Sequence, residues 1–248
     1  MKDSKTVHSS QISGLEEIDY STHFQSEQGS RIEVGPDGKF RVILPPDSNF
    51  DSAEKILQDN REWIQEQQSR LSAAINNVEG DIDKLTNSFV FQGKPYKLQS
   101  KRGRYGIDFQ DERCIVSTPK NRSEITYLKN WLKDYLRETV ESTGEKFADE
   151  LGVEFGQIYV RNQKTKWASC SSRSNLSFNI RSAFLPHRYF EYLAAHEIAH
   201  LEHPHHGEEF WNELQAMGFR KEMYESALDG YWILSNRNSV WQDLISNY

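Results

Sequence analysis

The chain has 248 residues, with 37 acidic against 30 basic side chains and a formal net charge of −7. That balance argues against a generally basic nucleic-acid binder but leaves room for a local basic patch. Two distant cysteines, the lack of an apolar run of membrane-spanning length and the lack of a charged-then-apolar leader argue against a disulfide scaffold or a membrane protein. They predict a reduced, cytoplasmic chain that can bury a sizeable core without cross-links.

Residues 1–29 are polar and poor in aliphatics, and read as a flexible tail. Residues 30–120 read as a β-rich region with one helix. Arg31 to Val34 and Lys39 to Leu44 flank Gly35-Pro36-Asp37-Gly38, a hairpin turn signal, and Pro45-Pro46 stops the second strand. From Ser52 to Leu71, the residues Ala53, Ile56, Leu57, Trp63, Ile64 and Leu71 trace a helical stripe. Phe89 to Phe91 and Tyr96 to Leu98 flank Gly93-Lys94 as a second hairpin, and strands near Ile107–Phe109 and Cys114–Val116 extend the same sheet. Lys94, Lys97, Lys101, Arg102 and Arg104, interleaved with Tyr96 and Tyr105, form the one clearly basic stretch. A solvated hairpin is the default reading. Contact with a nucleotide or nucleic acid is the alternative, and would bring strong salt dependence.

Residues 121–248 form the third region. Ile125, Leu128, Leu132, Leu136, Val140, Phe147 and Leu151 predict one long amphipathic helix or two over 123–151, with Gly152 as the C-cap. Ile158 to Val160 and Leu176 to Ile180 read as strands, and no internal repeat is apparent. No role is read for residues 219–248.

Eleven residues from His196 to His206 hold five of the eight histidines and spell HExxH. At i and i+4 on a helix, His196 and His200 project from one face and can grip one ion. Glu197 sits about 100° around, within reach of a water at that ion without ligating it. Tyr189, Phe190, Leu193, Ala194, Ile198 and Leu201 recur at helical spacing, with Pro186 in the first turn. Pro204 predicts a helix end at His203, after which the chain must turn and can bring a third ligand back. His206, ten residues after His196, is the favoured ligand and His205 the second choice. Glu208, Glu209, Glu213 and Glu222 are carboxylate alternatives that read more simply as solvated helix-face charges.

The segment before this helix carries a resemblance. Lys166-Trp167-Ala168-Ser169-Cys170-Ser171-Ser172 leads to Asn175-Leu176-Ser177-Phe178-Asn179, then Leu185-Pro186, the HExxH helix, His206-Gly207 and Phe210-Trp211. This resembles the YgjP-like metallopeptidases, relatives of the SprT-like zincins, over roughly residues 30–217. Ala168 stands where that family has glycine, and His205 where asparagine is common; neither change removes a ligand or the glutamate. The resemblance implies an α+β fold, a zincin-like core with an N-terminal β-rich extension. It implies a long helix backing the metal helix, and Trp167–Cys170 and Asn175–Asn179 as the strands nearest the metal. It further implies Zn²⁺ held by His196, His200 and His206, Glu197 as general base, and a peptide or protein substrate.

Trp167, like Trp211, grips substrate or packs as a core aromatic. Asn175, Ser177 and Asn179 project to one strand face, either the solvent face of an edge strand or a substrate-pairing surface. Cys170, with no C-x-x-C partner, reads as a small core residue. His8, His23 and His187 have no partners at metal spacing. The leading expectation is a zinc metallopeptidase. The alternatives are a metal-dependent nucleotide phosphohydrolase using the Lys94–Arg104 stretch, and a non-catalytic zinc module of a DNA-processing complex with His203 or His205 closing a four-ligand site.

Overall fold

The computed structural model describes residues 6–10, 18–25 and 29–246. The chain divides into two compact units after Asn76, and the fold is mixed α+β.

The first unit holds strands β1 (Thr6–Ser10), β2 (Ile18–Phe24), β3 (Arg31–Val34) and β4 (Phe40–Leu44), then helices α1 (Phe50–Asp59) and α2 (Arg61–Asn76). The sheet order is β1-β2-β4-β3, with β2 and β4 parallel and the outer pairs antiparallel. The tail expected over residues 1–29 therefore needs correction where it is described. In β2, Ile18, Tyr20 and Thr22 alternate inward and are buried. The single stripe from Ser52 to Leu71 is two helices broken at Asn60; Ala53, Leu57 and Ile64 join Phe40, Val42 and Leu44 in a small core.

The second unit opens with α3 (Ile82–Asn87), β5 (Phe89–Phe91), β6 (Lys94–Arg102), β7 (Gly106–Gln110) and β8 (Arg113–Thr118). The expected boundary near residue 120 is thus displaced: this sheet shares its core with everything that follows, and among the described residues three helices, not one, precede residue 120. Its order is β5-β6-β8-β7, again antiparallel, parallel, antiparallel. The two four-stranded sheets share order and sense, a repetition of topology that the sequence does not advertise.

One helix, α4 (Glu124–Leu151), follows. Ser123 accepts from Thr126 N–H to cap its start, and Gly152 ends it at φ 69°, a left-handed geometry that glycine adopts without strain. Leu128, Leu132, Leu136, Val140 and Phe147 form its buried stripe. A three-stranded sheet, β10 (Ala168–Cys170), β11 (Leu176–Asn179) and β9 (Ile158–Arg161), has β11 in the middle. Helices α5 (His187–Ala199), α6 (Glu208–Ala216), α7 (Lys221–Arg237) and α8 (Ser239–Ile245) complete the unit, with α4 and β10 packed on α5. Among the described residues no helix is long and apolar enough to cross a membrane.

Candidate metal centre

Helix α5 starts at Pro186, whose φ of −53° suits a helix entry but which offers no side-chain cap. The helix is enclosed: Tyr189, Phe190, Tyr192, Leu193, Ala194, Ala195, Ile198 and Ala199 are buried, and Glu197 with them. It ends at Ala199, earlier than Pro204 suggested. Leu201 N–H reaches Ile198 O, while Glu202 and His203 N–H both fold onto Ala199 O, closing the last turn tightly before the proline can act. His200 is the C-cap, still in right-handed helical geometry, so the i,i+4 relation to His196 survives with ring centroids 4.9 Å apart.

The reversal over residues 200–207 brings His206 back. Its Nε2 lies 3.0 Å from Nε2 of His196, and its ring centroid 4.7 Å from that of His200. One ligand atom from each of the three histidines falls within 4.8 Å of the others, a group able to hold a metal ion.

Neighbours fix the rings. His200 Nδ1 hydrogen-bonds to His203 O at 3.0 Å, which turns Nε2 towards the other two rings. Phe210 packs on His196 and His200 with centroids 4.9 and 4.6 Å away. Trp211 Nε1–H donates to His206 O at 3.1 Å while its indole stacks on the His206 ring, and Lys221 Nζ lies 4.4 Å over the indole. Burial pushes His196 down to about 3, with His200, His206 and Lys221 adding to the effect. Burial also lowers His200 and His206. All three are therefore neutral near pH 7, the state in which imidazole binds a cation. Two neutral rings with nitrogens 3.0 Å apart, one of them with its buried Nδ1 unpartnered, make a donor set that fits a zinc-like ion.

Glu197 is 5% exposed, between α5 and β10. Burial raises its carboxyl to about 7, opposed by the Cys170 backbone N–H, which donates to it, and by Lys166. Sequence reasoning did not find Cys170 N–H, Trp211 as a brace for His206, or Lys221. The N–H is invisible in a side-chain pattern, and Lys221 arrives from a different helix.

Other expected residues fall elsewhere. Trp167 is buried, donates Nε1–H to Leu228 O at 3.2 Å and packs edge-on against Trp232, as a core aromatic does. Ser177 and Asn179 are not on an edge strand, because β11 is paired on both sides and all four of its residues are buried; Asn175, half-buried, lies just before it. Asn175 Oδ1 accepts from Gln157 N–H at 2.7 Å. Asn179 donates to Gln163 O and Lys166 O and accepts from Arg181 N–H. Ser177 Oγ is buried without a partner.

His203 and His205 do not join the three-histidine group, nor do Glu208, Glu209, Glu213 or Glu222. Cys170 is half-buried, and burial, with Glu197 nearby, pushes its thiol up to about 11, far from a nucleophile. In the basic stretch Lys94, Lys97, Lys101, Arg102 and Arg104 are exposed; Arg102 pairs with Glu124 at 3.0 Å, and Tyr96 and Tyr105 pack on Phe109 and Tyr127.

Searches against curated proteins and against solved structures give no match. The model of the YgjP-like metallopeptidase domain does match, from residue 29 to residue 222. That span covers β3 through the start of α7, including every residue of the three-histidine group, and the chain belongs to the YgjP-like metallopeptidase family.

Proposed function

We propose that the chain is a zinc-dependent peptidase with a zincin-like core over its second unit, the first unit forming an N-terminal extension. The observation that carries this reading is the convergence of His196, His200 and His206 beside a buried glutamate on the same helix. Zinc held by the three imidazoles would supply a Lewis acid that lowers the pKa of water towards neutrality. Glu197 takes the proton from the attacking water and returns it to the leaving amine. Cys170 N–H, donating from β10, keeps the carboxylate oriented. The His200–His203 O hydrogen bond holds the second ligand in one tautomer. Phe210 excludes water from the back of the rings. The substrate is a peptide or an unfolded protein segment.

The test pairs zinc analysis with hydrolysis of an unfolded protein. Wild type should carry one tightly held zinc and cleave. Glu197→Gln, nearly isosteric and not a ligand, should keep that zinc and lose activity by about a hundred- to ten-thousand-fold, the usual range for general-base assistance. A variant with full zinc and undiminished turnover would overturn the role of Glu197. A wild type that binds no zinc would overturn the whole reading.

A further inference from the structure

Outside the three-histidine site, one other set of ligating side chains converges among the described residues. Glu202, His203 and Glu213 bring one ligand atom each within 4.8 Å of one another. Two elements build it: the turn after α5 supplies Glu202 and His203, and the exit half of α6 supplies Glu213. The His203 side chain is 20% exposed, and Glu213 is half-buried. Among the described residues no lysine or arginine pairs with either carboxylate, and a further carboxylate, Glu209, lies 4.0 Å from His203 Nδ1. Two carboxylates thus face one imidazole with no cation to offset them, an arrangement that a divalent ion resolves.

We propose that Glu202, His203 and Glu213 form a second site for a divalent first-row transition ion such as zinc, separate from the three-histidine site. One imidazole nitrogen and two carboxylate oxygens are a fitting donor set for such ions. Bond lengths near 2.0–2.2 Å place ligand atoms roughly 3.3–3.6 Å apart, so the carboxylates need to close by only about 1 Å. The consequence lies in the turn. His203 supplies the carbonyl that receives His200 Nδ1, and the same turn ends at His206. An ion at Glu202, His203 and Glu213 clips that turn to α6, so the second site braces the loop that presents two of the three histidines.

The experiment is a zinc titration of the chelator-stripped full chain by calorimetry in a non-coordinating buffer, with melting temperature followed in parallel. Wild type should show two classes of one equivalent each, the weaker being the more exposed carboxylate-containing site, and a further rise in melting temperature as the weaker class fills. Glu213→Gln and Glu202→Gln should each abolish the weaker class and the extra rise while keeping the tight one. His196→Ala should do the reverse, which separates failure of this site from failure of the peptidase reading. His205→Ala should leave both classes intact. A single class in wild type would overturn the proposal. So would a weak class that survives both glutamine variants, or one that His205→Ala removes.

Discussion

Replacing Asn179 by alanine should cost the protein about 3 kcal/mol without touching any proposed metal ligand. The side chain is fully buried and makes three hydrogen bonds: Nδ2–H to Gln163 O at 2.8 Å and to Lys166 O at 2.9 Å, and Oδ1 from Arg181 N–H at 3.1 Å. Each is worth about 1 kcal/mol net, and removing one partner leaves the other to find water. Lys166 is exposed, so its carbonyl recovers part of the loss, whereas the amide of buried Arg181 does not. Aspartate at this position should be worse than alanine, because it replaces both donors with an oxygen facing two carbonyl oxygens. Urea unfolding followed by tryptophan fluorescence measures the difference; with a slope near 3 kcal/mol per molar, the midpoint of Asn179→Ala should fall by about 1 M. Zinc content should hold, since α5 and its following turn keep their own support. An alanine variant within 0.5 kcal/mol of wild type, or an aspartate variant as stable as wild type, would refute the claim that Asn179 ties down the segment leading into β10 (a threshold set by the spread of ordinary surface substitutions, about 0.5 kcal/mol).

Other expectations can be checked independently. Metal-stripped Glu197→Gln protein, freed of the opposing titration of Glu197, whose raised carboxyl would take up a proton in the folded chain as the pH falls below about 7, should lose stability as the pH falls below about 6.5. The unfolded chain protonates His196 there, whereas the folded chain does not until about pH 3, so each pH unit inside that window should remove up to about 1.4 kcal/mol. Stability should be fully present above that window, and equal urea midpoints at pH 7 and pH 5 would contradict it. Gly93→Ala should destabilise by about 1–3 kcal/mol in thermal melts, because φ there is +74° and a Cβ would sit 2.5 Å from Pro186 Cγ at the entry to α5. A melting temperature unchanged from wild type would show that this close approach relaxes freely. Trp211→Phe should weaken zinc binding about tenfold in a competition assay with a chelating dye, through loss of the Nε1–H bond to His206 O. An unchanged affinity would show that Phe210 and the turn suffice to hold His206.

Much of the site is legible in the sequence because helical spacing is a strong geometric constraint. The four-residue spacing of His196 and His200 puts two rings on one face of the helix, and the ring centroids lie 4.9 Å apart as that requires. Gly152 is legible for a similar reason: a helix that stops in left-handed geometry calls for glycine. The end of α5 is not, because proline sets only the latest point at which a helix can stop, and backbone N–H groups closing on Ala199 O decide the actual one. Asn175, Ser177 and Asn179 mislead because polar alternation normally marks a wet face. Here the polar atoms of Asn175 and Asn179 serve the backbone of neighbouring irregular segments, a demand no periodicity records. Strand β2 hides behind its Ser, Thr and His composition, although Ile18, Tyr20 and Thr22 alternate inward.

In both four-stranded sheets the strand that comes last in the chain lies between the two that precede it, β4 between β2 and β3, and β8 between β6 and β7. Loop-closure entropy then favours one order of assembly. The β7–β8 hairpin closes over two residues, Asp111 and Glu112, and can form on the microsecond scale of local hairpins. The parallel pairing of Lys97 with Arg113 must wait until that hairpin swings its inner strand against β6. Residues 103–105 have to cross two strand spacings, about 10 Å, while passing over the end of β8. The four steps from Arg102 to Gly106 reach about 13–14 Å when fully extended. The connector therefore has little slack: an added residue lengthens a surface loop at small entropic cost, while a deleted one cuts the reach to about 10–11 Å, barely the span to be crossed.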